Sequence, residues 1–238
     1  MALPKITQPE FEITLPVIKK KIKFRPFLVK EEKILLVGKE GSAAEQMNAM
    51  LQILRNVVLS PKNFNPMDLT VTDIEYLFMH IRGKSVDNLV KLKYQDKEDE
   101  QLYDFEVDLN TVEPSVVKDR SYNIPIGKLT MELADPTIDM ISKSGLDMET
   151  NLAEGKTNSD MIFSLLSQCL VKVWDDEQVY DDFTPDEATE FFKSIDVNTF
   201  QQIQKFFETA PRLEHRLKYT NTLGNDREII LRGLSDFF

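Results

Sequence analysis

The stretch Phe11–Leu36, FEITLPVIKKKIKFRPFLVKEEKILL, changes rhythm twice. Phe11, Ile13 and Leu15 recur at period two between Glu10, Glu12 and Thr14; after Pro16, Ile22 and Phe24 alternate with Lys21, Lys23 and Arg25. Alternation of this kind puts one set of side chains on each face of a strand, so the stretch predicts a β-hairpin that Pro26 ends. Pairing Leu15 with Ile22 sets Ile13 against Phe24 and Glu12 against Arg25, apolar facing apolar and acid facing base. Such a ribbon is marginal by itself, so its apolar face must dock on the body of the chain or on another chain. From Leu28 onward the rhythm is helical, in LVKEEKILLVGKE, stopped at Gly38 or Gly41.

Working outward, SAAEQMNAMLQILRNVVLS carries Met47, Met50, Leu51, Leu54 and Val58 as a helical stripe that Pro61 ends, and TVTDIEYLFMHIRGK repeats the pattern up to Gly83. A second hairpin follows, LVKLKYQ and LYDFEVDL, joined by the charged turn DKEDE. From 110 to about 157 the pattern weakens; Pro114, Pro125 and Pro136 punctuate extended segments and loops, with one short helix around PTIDMISKS. NSDMIFSLLSQCLVKVW reads as a helix closed by Trp174, TPDEATEFFKSI begins with a capping box at Thr184 and Glu187, and VNTFQQIQKFFETA supplies another apolar face. A third ribbon, LEHRLKYT and REIIL, turns through NTLGND. The expected fold class is α+β: a mostly α-helical body with three peripheral antiparallel β-hairpins. Residues 1–26 form the N-terminal ribbon arm and 27–238 the body, with no firm internal boundary.

The 238 residues suffice for one large domain or two small ones. The single cysteine, Cys169, excludes an intrachain disulfide and a Cys-only metal cage; in IFSLLSQCLVKVW it reads as a small buried hydrophobe. No run approaches the 18 apolar residues of a membrane span, and the N-terminus lacks the apolar region of a signal peptide, so the expected location is a reducing cytoplasm. The formal net charge of −11 argues against a general nucleic-acid binder. The charge is uneven, however. Residues 1–35 hold eight Lys/Arg and four Asp/Glu, a net of +4, which leaves −15 for the rest. A basic opening on an acidic body suits an arm that meets an acidic surface, its own or a partner's, and equally a solvated ribbon face.

Recognisable catalytic patterns fail on inspection. GKS at 83–85 and GKT at 155–157 lack the upstream glycine of a phosphate-binding loop, since Phe78 and Thr150 stand there. His80 and His215 are the only histidines and are not spaced as metal ligands. The run WDDEQVYDDFTPDEATE holds eight carboxylates and no Lys or Arg, yet lacks the order and glycine of a calcium loop. It reads as a solvated loop and helix N-terminus, with an acidic docking surface as the alternative.

The opening LPKITQPEFEITLPVIKKKIKFRPFLVKEEKILL and the ending REIILRGLSDFF, with VKLKYQDKEDEQLYDFEVDL and IPIGKLTMELADPTIDM between them, resemble the baseplate hub assembly proteins of T-even-type contractile-tailed bacteriophages. The resemblance covers residues 3–238. It implies an assembly factor or structural subunit of the tail-baseplate hub that acts by protein–protein binding, without catalysis, in the host cell cytoplasm or the virion tail baseplate. It also implies partners among the other hub or tail assembly proteins, with self-association open; the acidic net charge and the lack of a long apolar run set the expectation that neither nucleic acid nor membrane is bound. The family's last ribbon can carry a C-x-x-C-G turn suggestive of a metal knuckle; here the turn reads TNTLG, with Thr220 and Leu223 in the sulfur positions, so neither metal nor cofactor is expected.

The candidate partner-binding residues are Phe11, Ile13, Leu15, Ile22 and Phe24 on the ribbon's apolar face, Lys21, Lys23 and Arg25 on its basic face, and Leu234, Phe237 and Phe238 at the terminus. No catalytic residue is assigned. Two rival classes are an enzyme using the acidic 175–190 segment with Tyr180, and a nucleic-acid binder using Lys19, Lys20, Lys21, Lys23 and Arg25.

Overall fold

The computed structural model describes residues 6–39, 41–115, 117, 120–145 and 158–237. The chain divides into two compact units, the first made of 1–66, 72–115 and 211–238, the second of 67–71 and 116–210.

In the first unit, β1 (Phe11–Thr14) and β2 (Lys21–Phe24) form the expected N-terminal ribbon, but β2 also pairs with β3 (Val58–Ser60), giving a three-stranded sheet. The register is Phe11↔Phe24 and Ile13↔Ile22, two residues away from the pairing expected of Leu15 with Ile22. A slip of two leaves every side chain on its face, so the apolar pattern could not distinguish the registers. The loop decides: the Leu15 amide donates to the Lys20 carbonyl at 2.8 Å, Lys19 turns through φ +56°, and the Val17 and Ile18 amides donate to the buried Asp73 carboxylate.

Helices α1 (Val29–Lys39) and α2 (Ala43–Val57) follow, and α2 opens on a capping box in which Ser42 and Glu45 bond each other's backbone amides. After α3 (Val71–Ser85) come two long ribbons, β4 (Leu89–Gln95) with β5 (Leu102–Asp108), and β11 (Arg212–Thr220) with β12 (Asp226–Arg232). β6 (Pro114–Ser115) extends the second to three strands. Tyr219 packs its ring against Tyr103 at 4.7 Å and Phe105 at 5.4 Å, so the aromatic faces of the two ribbons meet. Leu15, Ile22, Phe24, Ile53, Leu54, Ile74, Leu77, Met79 and Phe237 are all fully buried.

The second unit is built on a four-stranded antiparallel sheet, β7 (Asn123–Ile126), β8 (Leu129–Leu133), β9 (Leu170–Trp174) and β10 (Val179–Tyr180), ordered β10-β9-β8-β7. Its inner row, Ile124, Met131, Leu133, Leu170 and Val173, packs with Leu166, Ala188, Phe192, Ile203 and Phe206 from helices Asn158–Cys169, Pro185–Ser194 and Val197–Glu208. The buried Arg120–Asp135 pair fastens this unit: its N···O distance is 2.7 Å, and the guanidinium lies 3.9 Å over the Phe206 ring while donating to the Phe206 carbonyl.

This arrangement corrects the expected fold class. The described residues hold twelve strands in four sheets beside seven helices; a mostly helical body with three peripheral hairpins is not what forms. Two errors account for the difference. Leu170–Trp174, expected as the last turn of a helix, leaves the helix at Cys169 and becomes β9. Asn123–Leu133, expected as loose extended chain, is the β7–β8 hairpin turning through Gly127 at φ +60°. Val171, Val173 and Trp174 carry strand propensity that a helical tally of apolar positions ignores.

Candidate partner-binding surfaces

The ribbon's apolar candidates lie within the fold. Leu15, Ile22 and Phe24 are buried, while Phe11 and Ile13 are half-buried. The Phe11 ring stacks on Phe24 at 5.9 Å and receives the Lys84 ammonium at 5.6 Å. On the polar face, Lys21 and Lys23 point to solvent, and Lys21 pairs with Glu12 at 3.3 Å.

Arg25 is placed differently. Its guanidinium bonds the buried Glu31 carboxylate at 3.0 Å and the carbonyls of Pro26 and Asn56, joining the end of β2 to α1 and to the last turn of α2. Glu31 also accepts from the Leu28 amide at 2.9 Å. Burial alone would raise the Glu31 pKa, but the Arg25 hydrogen bond, the Leu28 amide and the charges of Arg25 and Lys30 together hold it below the usual carboxylate value.

At the other end of the chain, the Gly233 amide donates to the Leu213 carbonyl and the Leu234 amide to Glu75, and both Leu234 and Phe237 are buried. The tail thus docks on its own unit. Phe238 lies outside the described residues. Burial pushes the Glu75 carboxyl upward, with the Leu234 amide opposing it.

The turn that reads TNTLG is held by carboxylates. Asp99 accepts from the Tyr103 hydroxyl at 2.5 Å, the Thr222 hydroxyl at 2.7 Å and the Thr222 amide at 2.9 Å. Asp96 accepts from the Tyr219 hydroxyl and pairs with Arg227, and Glu98 accepts from the side-chain amides of Asn221 and Asn225. Thr220 bonds Asp226, and Leu223 is exposed. Among the described residues no group of three or more His, Cys, Asp or Glu could hold a metal ion. Burial pushes the Cys169 thiol up to about 12, with the Asp135 charge adding to it. His80 is partly buried in α3 with Nδ1 3.0 Å from the Tyr76 carbonyl, and burial is the main cause of its lowered pKa.

The acidic run forms the β9–β10 turn and the start of the next helix. Asp175 accepts from the Glu177 and Gln178 amides, and Thr184 forms the expected capping box with Glu187. Tyr180 is exposed at the sheet edge. Beside it, residues in register across the four strands, Pro125, Thr130, Trp174 and Val179, share the face turned away from the core.

One surface was not singled out by the sequence. Outside the ribbon, α1 turns Val29, Leu36 and Val37 to solvent, 81%, 62% and 69% exposed. Between α1 and α2 runs an open groove of about 470 Å³ lined by Lys30, Lys33, Ile34, Val37, Ala49 and Gln52. The helices approach closely there: a Cβ on Gly38 would sit 2.6 Å from that of Ala49. The sequence signal was present, because ILLV is apolar for longer than one buried helix face requires. No helix of the described residues is long and apolar enough to cross a membrane.

No curated protein and no solved structure matches the chain. The model of a family described as T4 bacteriophage base plate protein matches residues 8–238, from the N-terminal ribbon through the docked tail. The chain therefore belongs to the T4 bacteriophage base plate protein family and has a structural or assembly role in a phage tail baseplate.

Proposed function

We propose that this baseplate protein acts at the central hub, as an assembly factor or hub subunit, and that it works by binding other baseplate proteins without making or breaking a covalent bond. The observation that carries this reading is the surface composition of the first unit. Solvent-facing lysines on the ribbon and an aliphatic stripe on α1 lie close together in sequence, within residues 19–37, on a chain otherwise strongly acidic. Clustered apolar and basic groups left in water suit recognition of an acidic protein surface. The apolar residues of the ribbon and tail serve the protein's own fold in this reading, and the lysines Lys19, Lys20, Lys21 and Lys23 steer association.

The test is a tagged chain expressed during infection, with assembly intermediates separated by sedimentation. Hub complexes should carry the tag. Recovery only with peripheral baseplate complexes overturns the hub assignment. Reversing Lys19, Lys20 and Lys21 to Glu should slow capture of the hub partner and leave melting unchanged, and added salt should act in the same direction.

A further inference from the structure

We propose that the outward face of α1, with the groove between α1 and α2, is the seat of an acidic amphipathic helix from another baseplate protein. This rests on the reading that the chain works by protein–protein binding. A surface helix of a globular protein buries one stripe and turns polar residues to water. α1 does not. Its inner side is occupied by the buried Glu31 and Gly38 and the half-buried Ile34 and Leu35, while Val29, Leu36 and Val37 remain outside. At 100° per residue, Val29, Lys33, Leu36 and Val37 fall within one quadrant or so of the helix, a stripe that continues through Lys30 into the groove wall of Ile34 and Ala49.

The groove is open and lies between two helices joined by a short turn, which suits a helix laid along them. Its charges choose the occupant: the lining holds two lysines, Lys30 and Lys33, against one acid, Glu45, whose carboxylate accepts from the Ser42 amide in the capping box. Lys33 forms no salt bridge among the described residues and stands in the middle of the apolar stripe, and Lys30 lies at its border, sharing the buried Glu31 with Arg25. A second copy docked about a two-fold axis would bring Val29 against Leu36 and Lys33 against its own equivalent, which like-charge repulsion disfavours. A partner helix with Asp or Glu flanking its apolar stripe satisfies both lysines and covers all three aliphatic side chains.

The experiment places a photo-crosslinking phenylalanine analogue at Leu36 of the full-length chain, and separately at Val179 in the second unit, during infection. Both positions are exposed, so thermal melting should not change. The expected result is a crosslink from position 36 to a segment of another baseplate protein with acidic residues flanking apolar ones at three- and four-residue spacing. Adding K30E and K33E should lower that yield roughly five- to tenfold. A crosslink to a second copy, to phospholipid or to a basic or extended segment overturns the proposal, as does no crosslink at position 36. If position 179 still captures baseplate proteins while position 36 does not, only the groove assignment fails. If neither captures any and the chain does not sediment with baseplates, the binding reading fails as well.

Discussion

Arg25 shows how much a single residue's role depends on its surroundings. In the sequence it continues the series Lys21, Lys23, Arg25 and reads as the last cation of a basic face. In the fold it is an internal staple on Glu31. Period two assigns a face but does not say whether that face meets water or a helix, and the deciding partner is a glutamate on another element. Glu31 gives a prediction with a sign. Its pKa is depressed in the folded state, so its contribution is fully present above the unfolded value, near 4.5, and is lost as pH falls through the lower folded value. Glu31→Gln should therefore destabilise the protein by about 3 kcal/mol at neutral pH. The difference from the parent should shrink below about pH 4.5, as denaturant melts between pH 3 and pH 7 would measure. Gly233 carries a second prediction. It adopts φ +64°, and a Cβ there would lie 2.9 Å from the Glu75 carboxylate. Gly233→Ala should cost about 1–3 kcal/mol and raise protease cleavage at the tail, because the strain falls where the chain turns to bury Leu234 and Phe237.

At the scale of elements, the local signals in the sequence were reliable where they were self-contained. The Thr184 capping box, the two long ribbons and the short helix after Pro136 form where expected, and the N-terminal ribbon forms in place but in another register. Besides the β7–β8 hairpin, the elements missed include β3 and β9, short ends of helical segments that leave the helix where a neighbouring strand offers its hydrogen-bonding edge. Such an edge is invisible in a local window. The junction of the β4–β5 and β11–β12 turns was not legible either, since Asp96, Glu98 and Asp99 lie more than a hundred residues from the groups of the β11–β12 ribbon that they hold. Asp99 and Asp96 both sit below the ordinary aspartate value: burial raises Asp99, but hydrogen bonds from Tyr103 and Thr222 and the Gln101 amide outweigh it, and the Tyr219 hydrogen bond leads for Asp96. Their support of the junction is thus present above the unfolded aspartate value and lost as pH falls through the folded ones. Asp99→Asn should speed amide exchange in Leu102–Asp108 and Arg212–Thr220 while leaving Phe11–Thr14 unchanged. If all three segments change alike, the junction is not a local clasp. Because this clasp is made of carboxylates, hydroxyls and amides, treating the purified protein with a chelator should leave its melting temperature unchanged.

On the scale of the whole molecule, the placement of one tryptophan makes the two units separately observable. Trp174 is the only tryptophan and lies in the second unit, on the sheet face away from the core. That unit has a core of its own, centred on Met131, Phe192 and Ile203. The N-terminal ribbon belongs to the first unit, where it supplies the fully buried Leu15, Ile22 and Phe24 and leaves β3 without a partner strand if removed. Deleting residues 1–26 also removes the loop amides that satisfy Asp73 and the Arg25 charge that balances Glu31. Each buried aliphatic or aromatic side chain lost is worth about 2–3 kcal/mol, and the weakened satisfaction of two buried carboxylates adds to that. Together these approach the whole stability of an ordinary domain, roughly 5–15 kcal/mol. The expected outcome is that the truncated chain loses helical circular dichroism and its aromatic near-ultraviolet signal from the first unit. Trp174 fluorescence should keep its folded emission maximum and its cooperative transition. Retention of the full circular dichroism would mean that the ribbon is an appendage after all, available to a partner. Loss of the tryptophan transition together with the rest would mean that the second unit folds only with the first.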